Sequence, residues 1–137
     1  MNRADFQKLA KLRVREARIL LDNKCYEGAF YLAGYAVECA LKACIAKKTK
    51  RYDFPPKDSS QLYNHGLGNL VALAGLKSDL DAEMASVKAF KDNWATVKDW
   101  KVDARYETKI AKNQAENLYA AITDDPNGVL LWLKNYW

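Results

Sequence analysis

Three observations predict an all-α fold for this chain. Apolar residues recur at helical spacing along most of its 137 residues, the segment Tyr26–Ile45 reads as one helix enclosed on nearly every side, and no stretch alternates with the period of a strand. Within the enclosed segment Tyr26, Phe30, Ala33, Val37, Ala40 and Cys44 recur in steps of four and three, the period of a bundle helix. A second set, Leu32, Tyr35, Ala36, Cys39 and Ala43, covers much of the opposite face. Gly28, Ala29, Ala33, Gly34, Ala36 and Ala40 remove side-chain bulk, so another backbone can come close even though each glycine costs a helix roughly 1 kcal/mol. Such a helix is central to its fold or pairs across a dimer. The expected architecture is an antiparallel up-and-down bundle of about five helices plus a short C-terminal helix, in a single domain spanning residues 1–137.

In chain order, the first helix is expected from about Asp5 to Asp22, with Phe6, Ala10, Val14, Ala17 and Leu21 on one face. A break at Asn23 to Cys25 leads into the enclosed helix, which ends near Lys48, and so short a connection favours antiparallel neighbours. Phe54-Pro55-Pro56 and the polar residues between Thr49 and Ser60 read as a loop, because proline excludes a continuing helix. A short helix from about Gly66 to Ala74 stops at Gly75. The next is expected to start at Ser78 as N-cap and to run unbroken to Trp100 on a stripe of Leu80, Met84, Val87, Phe90, Trp94 and Val97. After a lapse between Lys101 and Tyr106, Ala111, Ala115, Leu118 and Ile122 define a further helix. Asp125-Pro126 reads as an N-cap and first-turn proline opening the last one.

An apolar fraction of 50% with 28% charged residues is that of a globular protein, not a disordered one. The longest uncharged apolar run, Gly28 to Val37, is shorter than the roughly 18 residues of a membrane span. Asp5 and the charged helix after it do not fit a signal peptide, so a cytoplasmic protein without a membrane association is expected. Cys25, Cys39 and Cys44 form neither a C-x-x-C pair nor an even disulfide set, and the two inside the packed helix read as small core hydrophobes. With a single histidine and no Glu-x-x-His, neither a metal site nor a cofactor is expected.

The net charge of +5 is unevenly placed: residues 1–57 hold thirteen Lys/Arg against six Asp/Glu, residues 58–137 nine against eleven. Its densest part is Lys42, Lys47, Lys48, Lys50, Arg51 and Lys57, opposed by Asp53 and interleaved with Tyr52 and Phe54. Cations among aromatics can hold phosphates while a base stacks on a ring. Lysines at a helix C-terminus also complement the macrodipole without binding anything.

The ordered set Ala36-Val-Glu-Cys-Ala-Leu-Lys-Ala43, Leu62-Tyr-Asn-His-Gly-Leu67 with Leu70, Ala74-Gly-Leu76, Asn93-Trp94, Trp100 and Arg105-Tyr106 resembles the HEPN family of small helical proteins, over about Arg15 to Trp132. The resemblance implies a helical bundle that dimerises. It also implies a role as a metal-independent ribonuclease in toxin-antitoxin, phage-defence or RNA-processing systems, often beside a nucleotidyltransferase-like antitoxin partner, or as a non-catalytic binder of RNA, nucleotide or protein. The ribonucleases carry an arginine followed after four to six residues by histidine. Arg105 stands where that arginine is expected, but no histidine lies between Tyr106 and Ala121, so the family's catalytic pair is not carried over.

His65 is the remaining candidate base, a residue type that titrates near neutrality; beside Gly66 at a helix start it also reads as a local cap. Glu38, in an apolar segment, must reach water or a partner. Lys42 four residues later is the economical one, and a groove between protomers shared with Arg105 or Tyr106 is the functional one. The candidate sites are therefore His65, Arg105 and Tyr106 for catalysis, Lys47, Lys48, Lys50, Arg51, Tyr52, Arg105 and Lys109 for nucleic acid or nucleotide, and Glu38 with Lys42 for a groove. A homodimer that binds RNA or a nucleotide without cleaving it is expected, a divergent ribonuclease or a structural interaction module being the alternatives.

Overall fold

The computed structural model describes residues 1–49 and 65–137, and the Phe-Pro-Pro loop, Lys50, Arg51 and Tyr52 lie outside them. The described residues form seven α-helices and a 3-10 helix, with no strand among them. In chain order these are α1 (Arg3–Asp22), α2 (Tyr26–Thr49), α3 (Leu67–Leu73), α4 (Lys77–Ser86), α5 (Lys88–Val97), the 3-10 helix (Val102–Tyr106), α6 (Lys112–Thr123) and α7 (Val129–Leu133). The class is the expected one, a helical bundle.

Helix α1 starts two residues earlier than its apolar pattern suggests because Asn2 caps it. The Asn2 Oδ1 accepts from the Asp5 amide at 2.9 Å, and the Asp5 carboxylate accepts from the Asn2 amide at 3.0 Å. Three residues then reverse the chain, with Lys24 at φ +62°. Phe6 near the start of α1 packs on Ala43 and Ala46 near the end of α2, and Leu20 lies against Gly28, so the two helices are antiparallel.

Helix α2 is the centre of the bundle, touching α1, α3, the 3-10 helix, α6 and α7. Ala33, Ala36, Val37, Ala40, Leu41 and Ala43 are all at most 1% exposed. An 18-residue window of this helix has mean hydropathy 1.4, enough by length and composition to cross a membrane, but 78% of it is buried inside the fold, as a core helix requires. The two glycines of this helix face side chains, Gly28 that of Leu20 and Gly34 that of Trp100. At Gly34 the indole of Trp100 occupies the space a Cβ would need, and Tyr31 stacks on that indole at 6.2 Å between ring centres.

Two expectations are corrected. The helix expected from Ser78 to Trp100 is broken at Val87, whose φ of −128° and ψ of 102° are extended; it ends α4 and opens α5. A β-branched residue gains little from helical geometry. The break loses few hydrogen bonds, because the Val87 amide still donates to the Glu83 oxygen at 2.8 Å and its carbonyl accepts from Lys91 at 3.1 Å. The helix also starts at Lys77, with Leu76 and not Ser78 at its cap. Asp125-Pro126 does not open the last helix. It is a cis peptide in a turn, and α7 begins at Val129 behind Gly128, where a Cβ would stand 2.5 Å from the Asp124 oxygen. Gly75, by contrast, ends its helix as expected, at φ +72°.

Phe90, Trp94 and Val97 of α5, Leu118 and Ile122 of α6, and Trp132 and Leu133 of α7 close the core opposite α2. Trp132 sits 5.2 Å from Phe90 and 5.1 Å from Tyr136, ring centre to ring centre. Trp94, Trp100 and Trp132 are 6%, 3% and 6% exposed and lie inside the bundle. Because Trp100 fills the space above Gly34, Gly34→Val should lower stability by about 1–3 kcal/mol through overpacking. Chemical denaturation of this variant and of Gly68→Ala checks it; a Cβ at Gly68 meets nothing within 4 Å, so that control should stay at or above parent stability.

Candidate functional site: a buried carboxylate shared by lysine and histidine

The burial of most of α2 leaves two charged residues inside the fold, Glu38 at 1% and Lys42 at 7% exposure. One turn apart on one face, they pair: Lys42 Nζ donates to Glu38 Oε2 at 3.1 Å. His65, just before α3, reaches the same oxygen with Nδ1 at 3.0 Å. The acceptor is a carboxylate, so the network assigns the Nδ1 proton to the donor role, and Nε2 has no hydrogen bond to the described residues. The imidazole is 42% exposed. Oε1 of Glu38 is buried and has no hydrogen-bond partner among the described residues.

Around this carboxylate, Tyr35 and Cys39 interact through hydroxyl and thiol. Burial first, then Cys39 and Glu38, pushes the Tyr35 hydroxyl up to about 12. Burial first, then Glu38, pushes the Cys39 thiol up to about 11. Cys44, whose Sγ lies 3.8 Å from the Leu133 oxygen, is raised by burial to about 12. Both thiols are therefore protonated core groups, as the sequence suggests, while Cys25 is exposed.

His65, Glu38 and Lys42 come together; Lys50, Arg51 and Tyr52 lie outside the described residues. No hydrogen bond or ion pair among the described residues joins Arg105 or Tyr106 to Glu38. The Arg105 guanidinium instead stands 4.8 Å from the centre of the Tyr106 ring, which is 71% exposed. Lys109 lines a cleft of about 350 Å³ whose rim also carries Asp99, Asp103 and Glu107, a mixed-charge setting that does not favour a polyanion. Lys47 and Lys48 are exposed at the end of α2, with no ion pair among the described residues. His65 does not cap α3; Gly66 occupies that position without a side-chain cap. Nothing in the sequence joins His65 to Glu38, twenty-seven positions away. Asn93, by contrast, donates to the Asn127 oxygen at 2.9 Å and ties α5 to the cis-proline turn. Among the described residues no group of His, Cys, Asp and Glu is arranged to hold a metal ion.

The described residues form a helical bundle around a largely buried central helix. The model of the HEPN domain family matches residues 5–123, and the chain belongs to that family. No curated protein and no solved structure matches the chain significantly.

Removing Lys42 alone leaves a buried carboxylate with one of its two partners gone. Lys42→Met should cost about 3–5 kcal/mol, as for a broken buried pair. The double variant Glu38→Gln/Lys42→Met should recover much of that loss. Urea unfolding of the parent, both single variants and the double variant gives the coupling; equal and additive losses would show that the pair does not interact.

Proposed function

We propose that this HEPN-family protein is a cytoplasmic, homodimeric binder of RNA or a nucleotide, in a toxin-antitoxin or defence setting with a nucleotidyltransferase-like partner. Family membership supports the nucleotide- or RNA-related role. The observation that carries it is the cationic end of α2, where Lys47 and Lys48 are exposed and form no ion pair among the described residues, and which the sequence continues with Lys50, Arg51 and Tyr52. Phosphates bound there release counterions, so affinity falls steeply with salt, and each lost lysine contact flattens the logarithmic slope by roughly 0.7 for a single strand. The variant Lys48→Glu/Lys50→Glu/Arg51→Glu should lose binding to single-stranded RNA at low salt while its thermal unfolding stays close to the parent's. Parent-like binding by this variant would reduce the lysines to a solvated helix end.

A second reading, a divergent metal-independent ribonuclease, is favoured by the bond between His65 and Glu38. A buried carboxylate that holds Nδ1 orients the imidazole and leaves Nε2 to accept a proton, the arrangement of a general base. The missing arginine-histidine pair weighs against it, as does the lack of any hydrogen bond or ion pair between Arg105 and this site among the described residues. Purified protein is expected not to cleave generic single-stranded RNA in the presence of a chelator. Cleavage that survives stringent purification and disappears in His65→Ala would replace the first reading with the second.

A further inference from the structure

The fold gathers cations from three distant parts of the chain around one indole. Lys11, on the third turn of α1, and Lys134, just after α7, hold their ammonium groups 5.6 and 5.8 Å from the centre of the Trp137 ring. Arg3 donates to the Trp137 main-chain oxygen at 2.6 Å, and the ring packs on Phe6, Ala43 and Ala46. Lys47 is the next residue of α2, and it and Arg3 both lie within electrostatic range of Cys44, whose thiol contacts Leu133.

None of Arg3, Lys11, Lys47 and Lys134 forms an ion pair with a carboxylate side chain among the described residues, whereas Arg13, Arg18, Lys77, Lys88 and Lys112 all do. Asp5, on the first turn of α1, is occupied with capping. Like charges brought together by folding repel one another, and an ammonium over an exposed ring recovers only about 0.5–1 kcal/mol. A polyanion would relieve that repulsion. The partly buried indole between the lysines supplies a flat surface of the kind on which a base stacks.

We propose that Trp137, flanked by Lys11 and Lys134 and backed by Arg3 and Lys47, is a stacking platform for single-stranded RNA. A base stacks on the indole, and the ammonium groups move from the ring to the flanking phosphates. This rests on the RNA reading above and extends the cationic end of α2 across α1 and the segment after α7. The site differs from the Glu38–His65 pair, and it accounts for sequence tolerance, since every base offers a face for stacking.

The test uses fluorescently labelled oligo(rA) and, as a probe without bases, inorganic polyphosphate. Trp137→Leu keeps an apolar contact to Phe6 and should weaken oligo(rA) binding about tenfold or more, within the range measured for loss of one stacked base, while polyphosphate binding stays unchanged. RNA should quench part of the parent's tryptophan emission and none of the variant's. Lys11→Glu/Lys134→Glu, which leaves the indole in place, should weaken both ligands. If the parent binds RNA and both variants bind it equally well, the platform falls and the RNA reading stands. If the parent binds neither probe at low salt, the RNA reading falls with it. Polyglutamate bound as tightly as oligo(rA), with no effect of Trp137→Leu, overturns the platform in favour of an acidic protein partner.

Discussion

Burial of α2 is the constraint on which the other helices depend. A helix with almost no solvent face needs neighbours on every side, and α1, α3, the 3-10 helix, α6 and α7 all pack on it. Its side chains are small, so those neighbours approach closely and supply the bulk themselves. Trp100 over Gly34 shows the exchange: the glycine loses helix propensity, and the indole gains full burial in the space released. This is why the helix can pass for a membrane span by hydropathy while most of it lies inside a globular core.

The same burial makes Glu38 consequential. A carboxylate withdrawn from water needs charge and hydrogen bonds in return. Lys42 provides the charge from the same helix, and His65 provides a hydrogen bond from the segment leading to α3. The contact with His65 therefore fastens α3's approach to the central helix and orients an imidazole at the surface. One oxygen remains without a partner, so the arrangement is incompletely satisfied among the described residues. Buried groups of that kind are retained for specificity or function more readily than for stability. Here the bond from His65 to Glu38 joins the segment before α3 to the central helix inside the bundle.

Much of this architecture was legible in the residues, and the misses have local causes. The steps of four and three in α1, α2 and α6 are helical whatever surrounds them, and Gly75 ends α3 because it tolerates the left-handed region. The stripe from Leu80 to Val97 concealed the break at Val87, since one extended residue barely disturbs a pattern of apolar spacing and keeps its hydrogen bonds on both sides. Asp125-Pro126 carried a helix-start signal that a turn uses equally well, and it was Gly128, pressed against the Asp124 backbone, that set where α7 begins. The Glu38–Lys42 pair was legible from its spacing along the helix. His65 was named as a candidate, but its bond to Glu38 was not legible, because it is tertiary. The indole with Lys11 and Lys134 on it escaped for the same reason, and composition offered only a basic N-terminal half as a signal.

The lysines divide according to what the central helix does with them. Lys42, near the middle of its last turns, is drawn inside and neutralised by Glu38; Lys47 and Lys48, one to two turns later, emerge where the helix leaves the core. Because α1 runs antiparallel, its N-terminal end meets that same exit and adds Arg3 and Lys11, while the segment after α7 adds Lys134. The carboxylates of the second half of the chain are largely committed elsewhere: Asp81, Asp92 and Glu116 pair with lysines on their own helices, and Asp99, Asp103 and Glu107 line the cleft beside Lys109. Helix pairing thus brings Arg3, Lys11, Lys47 and Lys134, none of which pairs with a carboxylate side chain among the described residues, to one end of the bundle. That placement follows from the enclosure of α2, since a shorter or less buried central helix would leave Lys42 at the surface as well and spread the charge along its length.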